Sequence, residues 1–181
     1  MLKEMVFAGF GGQGVLSMGT LIAYAAMKEG KEVSWFPSYG PEMRGGTANC
    51  MVNVSDEAIS SPIDTEFDIA AVFNIPSLEK FEPKVKKGGI LIWENSVIKK
   101  GPTRKDIHSY GVPAIRTATD KLKNIKVMNM VAMGALLKIT QIVKKESVLT
   151  ALKGTLPERY HHLLPLNRNA LDMGFDLIKT K

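Results

Sequence analysis

An apolar segment, Met5-Val6-Phe7-Ala8, runs straight into Gly9-Phe10-Gly11-Gly12-Gln13-Gly14, and a helical pattern begins at once behind it. Val15, Met18, Ile22 and Ala25 recur at helical spacing up to Glu29, with Leu21 beside them. Strand, glycine loop and helix in that order belong at the carboxyl edge of an open α/β sheet, where N–H groups at a helix start can face an anion. Gly30 closes the helix, and Glu32-Val33-Ser34-Trp35-Phe36 reads as a second strand stopped by Pro37. A second loop rich in glycine follows, from Pro37 to Thr47. The two strands are expected to pair in parallel through a right-handed crossover, with both loops side by side at one sheet edge.

Beyond the second loop, Ala48, Cys50, Val52 and Val54 alternate with Thr47, Asn49, Met51 and Asn53, the period of a strand with one more polar face. Further strands are predicted at residues 69–73, at 90–93 after a turn at Lys87-Gly88-Gly89, and at 112–115, with a helix over 77–86. Residues 129–143, 147–153 and 167–179 read as three more helices. The alternation predicts a three-layer α/β/α sandwich with a mainly parallel, Rossmann-like sheet. At 181 residues and 45% hydrophobic content, a single domain over the whole chain is expected.

The opening residues show no basic segment followed by an apolar one, and no apolar run approaches the roughly 20 residues of a membrane span, so a cytoplasmic location is expected. A net charge of +6 comes mainly from lysines in the second half, beside turns and on polar helix faces. No aromatic residues interleave with them, which argues against nucleic acid and for a solvated surface, with an acidic cofactor or partner as the alternative. The single cysteine, Cys50, excludes an internal disulfide and a cluster ligated by this chain alone. Its strand face marks it as a core thiol. His108, His161 and His162 have no metal-ligand spacing, Asn129 and Asn167 are expected to cap helices, and the methionines to pack the core or an interface.

Gly9, Gly11 and Gly14 satisfy the G-x-G-x-x-G pattern of dinucleotide-binding folds. That function also needs an acidic residue at the end of the second strand, and the chain has Trp35-Phe36-Pro37-Ser38 there, with Glu42 farther on in an irregular loop. The lysine of a phosphate-binding Walker loop is missing too, since Gln13-Gly14-Val15-Leu16 stands in its place. What remains is backbone chemistry for an anion or carboxylate, to which Gln13 adds an amide. The alternative is that these glycines only allow close helix–sheet packing. In the second loop Tyr39, Glu42 and Arg44 put a phenol, a carboxylate and a guanidinium beside Gly45 and Gly46. Arg44 there suits a phosphate or carboxylate clamp, or an internal contact that pins the loop.

Together the two loops resemble the gamma subunit, or gamma domain, of the 2-oxoacid:ferredoxin (acceptor) oxidoreductases. The resemblance extends to Ser60-Ser61-Pro62, Asn74-Ile75-Pro76-Ser77, Lys87-Gly88-Gly89-Ile90 and Asn129-Met130-Val131-Ala132-Met133-Gly134-Ala135. The Pro37–Gly46 segment is most similar to the 2-oxoglutarate and branched-chain 2-oxoacid members, with 2-oxoglutarate favoured. The resemblance implies oxidative decarboxylation of a 2-oxoacid on thiamine diphosphate, electron transfer through iron–sulfur clusters to ferredoxin, and acyl transfer to coenzyme A. It places the thiamine cofactor and the clusters on alpha-, beta- and delta-type partner subunits, with no catalytic or metal-binding residue here and no activity from this chain alone. A contribution to coenzyme A binding is carried onto Gly11, Gly12, Gln13, Gly14, Tyr39, Glu42, Arg44, Gly45 and Gly46. Alone, the chain is expected to form a two-fold dimer or to bind its partner subunits. A stand-alone NAD- or FAD-binding domain and a purely structural subunit are the competing readings.

Overall fold

The computed structural model describes residues 1–39, with only the backbone of Tyr39, and residues 46–179. Six strands form one sheet: β1 (Leu2–Phe10), β2 (Glu32–Tyr39), β3 (Thr47–Ser55), β4 (Phe67–Val72), β5 (Val85–Glu94) and β6 (His108–Val112). The helices are α1 (Val15–Lys28), α2 (Ile75–Phe81), α3 (Ala114–Asp120), α4 (Met128–Thr140), α5 (Lys145–Thr155) and α6 (Leu164–Asp176). The strand order is β2-β3-β1-β4-β5-β6, and β3 alone runs against the other five.

β1 and β2 point the same way but are not neighbours, contrary to the expected parallel pair: β3 lies between them, antiparallel to both. The reason is chain length. Only residues 40–46 join β2 to β3, and a connection that short returns a strand antiparallel, since a parallel crossover needs a dozen residues or more. Pro37 does not stop β2 but lies within it, opposite Cys50. It is tolerated because β2 is the edge of the sheet.

Helices α1, α3, α4, α5 and α6 cover one face, over Met5, Phe7, Cys50, Val52, Ile69 and Ile92. The other face carries α2, whose Leu78 and Phe81 pack on Val6, Ala8, Ala70, Val72 and Leu91. The three-layer sandwich is therefore unequal, thick on one side and thin on the other. α2 is shorter than the predicted 77–86 helix. Asn74 caps its start, accepting from the Ser77 N–H at 2.8 Å, and Pro83 falls in the 3₁₀ turn that ends it.

Two further boundaries moved. Lys87-Gly88-Gly89 lies inside β5, at an irregularity in its register with β4, and the predicted strand at 112–115 is the end of β6 followed by α3. Buried Glu94 at the end of β5 sets that switch, because one of its oxygens accepts the Ile115 N–H at 2.8 Å in the first turn of α3. Neither Asn129 nor Asn167 is the residue before its helix: both lie within the first turn or so of α4 and α6. Asn167 donates back to the Leu163 carbonyl at 2.9 Å. Several of the basic residues counted in the sequence are ion-paired, Lys86 with Glu4 and Asp68, Arg104 with Asp106 and Lys145 with Asp172.

Candidate functional site

The carboxyl end of β1 turns into α1 through Gly11, Gly12, Gln13 and Gly14. Gly12 and Gly14 take φ of 97° and 76°, the left-handed region that other residues rarely occupy. Gly14 is also needed for space, because a Cβ there would meet the Asn129 side chain at 2.7–2.9 Å. At Gly12 a Cβ would meet nothing within 4 Å, so that glycine serves conformation and leaves the loop open outward. Gly14 offers no side-chain cap to α1 and no acidic residue stands in its first turn, so among the described residues its helix start keeps its positive dipole end.

Gln13 does not face outward. Its Oε1 accepts the Phe10 N–H at 2.6 Å and its Nε2 donates to the Phe73 carbonyl at 3.2 Å, tying the end of β1 to the end of β4. These strands flank the point where the chain diverges, to α1 on one face and to α2 on the other. In open α/β sheets the ligand crevice lies at such a point. Here the Gln13 amide spans it, which gives Gln13 a scaffold role and leaves one of its N–H groups over for a ligand.

The open space lies on the other side of the loop. Gly11, Gly12, Gly14, Phe10, Ser17 and Ala48 line a cleft of about 330 Å³. A second cleft of about 400 Å³ shares Leu16 and Ser17 with it and extends to Trp35, Lys126 and Asn129. The two glycine loops meet, as expected: the Gly11 N–H donates to the Gly46 carbonyl at 2.8 Å. Of the second-loop candidates, Gly46 is thus beside the first loop and Tyr39 ends β2, while Glu42, Arg44 and Gly45 lie outside the described residues. Asn129, read from sequence as a helix cap, instead packs against Gly14 at the cleft. Ser17 and Ala48, which carried no signal, line it.

The dinucleotide reading fails on topology as well as on the missing acid. A ribose-binding carboxylate belongs at the end of the parallel strand next to β1, and the neighbour on that side is β3, which begins at this edge with Thr47 and Ala48. Cys50 is a core thiol. It is fully buried, its Sγ donates to the Val15 carbonyl at 3.4 Å, and burial pushes it up to about 12. Native protein at pH 8 is therefore expected to leave Cys50 unmodified by an aromatic disulfide reagent, with one thiol per chain released to the reagent only in denaturant. Rapid labelling of the native protein would contradict this burial.

Residues 4–177 match the family described as pyruvate ferredoxin/flavodoxin oxidoreductase. The chain belongs to that family. It is 34% identical over 181 residues to the 2-oxoglutarate synthase subunit KorC of Methanocaldococcus jannaschii, covering 99% of this chain and 95% of KorC. It is 37% identical over 174 residues to the ketoisovalerate oxidoreductase subunit VorA of Methanothermobacter marburgensis, covering 93% of this chain but 35% of VorA. Among solved structures, the 2-oxoglutarate:ferredoxin oxidoreductase of Magnetococcus marinus, bound to 2-oxoglutarate, coenzyme A and succinyl-CoA, superposes with a TM-score of 0.88 at 29% identity. That superposition covers 97% of this chain and 31% of the other. The chain thus spans about a third of VorA and of the Magnetococcus chain, and nearly all of KorC. Among the described residues no helix is long and apolar enough to cross a membrane, and no group of three acidic, histidine or cysteine residues could hold a metal ion.

Proposed function

We propose that this chain is the gamma subunit of a 2-oxoacid:ferredoxin oxidoreductase and lends its two glycine loops to the binding of coenzyme A. 2-Oxoglutarate is the favoured 2-oxoacid, on the near full-length likeness to KorC. The complex converts the 2-oxoacid and coenzyme A into acyl-CoA and carbon dioxide, and passes two electrons to ferredoxin. Thiamine diphosphate and the iron–sulfur clusters reside on alpha-, beta- and delta-type subunits in the cytoplasm. A cluster needs about four thiolates, and the one cysteine here is a buried, protonated core residue, so the donor set of this chain does not fit one.

The observation that carries the coenzyme A reading is the uncapped start of α1, opening through Gly11, Gly12 and Gly14 onto a cleft that the second loop adjoins. The N–H groups of the first helical turn, which the helix itself cannot satisfy, and the dipole favour a phosphate there. Gly12 lets that phosphate approach the backbone, since no side chain stands in the way. The adjoining cleft offers room for an elongated ligand, with the Trp35 indole and the Lys126 ammonium along it. Arg44, from the second loop, supplies a bidentate charge-assisted contact to the same phosphates. The chain's own task is to bind and orient the coenzyme while the acyl group is formed on another subunit.

Calorimetry on the assembled enzyme tests this. Arg44→Ala is expected to weaken coenzyme A binding by about 1.5–3 kcal/mol, roughly ten- to a hundredfold, the worth of a hydrogen bond to a charged group. Unchanged affinity would remove Arg44 from the site. Tight NAD binding to this chain would overturn the reading.

A further inference from the structure

On the face of the sheet that carries α2, the helical cover ends at β1. Along the cross-strand row Val6, Met51, Phe36, the side chains pass from fully buried, through partly buried, to 40% exposed. Toward the carboxyl edge Phe10, opposite Thr47, is 38% exposed. On the other face of the same edge, Trp35 of β2 is 42% exposed and Tyr24 of α1 is 48% exposed. Among the described residues Tyr160 is the only other exposed aromatic side chain; these four lie on β1, α1 and edge strand β2, with Phe10 and Phe36 on the face that α2 leaves uncovered and Trp35 on the opposite one. β2 is an edge strand of eight residues whose only charged side chain is Glu32, and Pro37 is its only break. Edges left this apolar and this long pair with or dock onto something.

We infer that this side of the molecule docks another subunit of the oxidoreductase, the part that VorA and the Magnetococcus enzyme carry in the same chain as their copy of this domain. The inference rests on the proposed function. The domain makes up about a third of those two chains, yet 95% of KorC. Where the domain makes up nearly a whole chain, as in KorC, any association with the rest of the enzyme has to be held by a surface, not by a linker. The exposed aromatic residues are of the kind enriched at interface centres, where they fill apolar pockets on the partner. Thr47 and Ser38 beside them, and the outward main-chain groups of β2, call for hydrogen-bonding groups at the rim. Phe10 belongs both to this patch and to the cleft at the glycine loop, so a docked subunit reaches the edge of the coenzyme site.

The test uses the chain co-expressed with the subunits encoded beside its gene and captured through a tag on this chain. Phe36→Asp is expected to reduce the captured thiamine-binding subunit at least tenfold, while Val97→Asp, in the exposed turn after β5 on the far side of the sheet from β2, captures it like the unaltered chain. Circular dichroism of the free variant checks that it folds. Amide exchange on the unaltered protein serves as a second, independent readout: residues 33–38 and 47–53 are expected to exchange at least tenfold more slowly in the complex than in the free chain. Equal capture by Phe36→Asp together with unchanged exchange would overturn the docking face, even if the complex turns over normally. So would protection of β2 by self-association alone, which would make the occupant a second copy. If the unaltered chain captures none of these subunits, the proposed function falls with it.

Discussion

Replacing Gly174 by alanine is expected to destabilise the protein by about 3 kcal/mol or more, and to lower its melting temperature by about 6–12 °C for a domain of this size. Helix propensity gives the opposite sign, since alanine in a helix interior is favoured over glycine by about 1 kcal/mol. Packing decides between them. A Cβ at Gly174 of α6 would collide with the Val131 carbonyl of α4 and stand 2.6 Å from its carbon. Across the same contact a Cβ at Gly134 would run into the Leu171 carbonyl and lie 2.7 Å from the Phe175 nitrogen. The obstacles are main-chain atoms of the facing helix, which cannot rotate away, so the two helices must separate. α4 is buried along nearly its whole length, from Met128 to Leu137, so that separation opens the core. Gly154 in α5 provides the control: a Cβ there meets nothing within 4 Å, and Gly154→Ala is expected to stabilise by about 0.5–1 kcal/mol. Thermal melts of the two variants settle the matter, and a stable Gly174→Ala protein would show that α4 and α6 do not cross this closely.

The elements were legible where local chemistry dictates them. The Gly9–Gly14 loop, its helix, the inward Cys50 and the apolar α4 all follow from periodicity and from glycine's conformational range. The order of the sheet was not legible from β1 and β2, because each would serve equally well in a parallel pair. The shortness of the connection after Tyr39 sets β3 antiparallel beside β2, and the fold then places it on the β1 side. Pro37 reads as a stop until its strand is known to be an edge, where its missing N–H costs little. At the site, Gly11, Gly12 and Gly14 carried their own signal. Gln13 carried a signal as a ligand donor, but its bonds to main-chain groups at Phe10 and Phe73, some 60 residues apart in sequence, were not legible locally. Asn129 likewise finds Gly14 only through the packing of α4 on α1, a contact no local pattern encodes.

The second large effect expected is on turnover, and it bears on what the chain is for. With a single, buried cysteine, this chain cannot by itself supply the four or so thiolates of an iron–sulfur cluster. It is expected to be colourless and inactive alone. On the proposed function its loops complete a coenzyme site with other subunits, whose activity is then expected to depend on it. The decisive measurement is coenzyme A-dependent reduction of a viologen dye with 2-oxoglutarate, and in parallel with a branched-chain 2-oxoacid. It is run on this chain alone, on the partner subunits alone, and on the two together. Acyl-CoA formation and dye reduction are expected only from the combined sample, with 2-oxoglutarate the better substrate. Dye reduction by the isolated chain, or equal acyl-CoA formation by the partner subunits without it, would contradict its assignment as a coenzyme-binding gamma subunit.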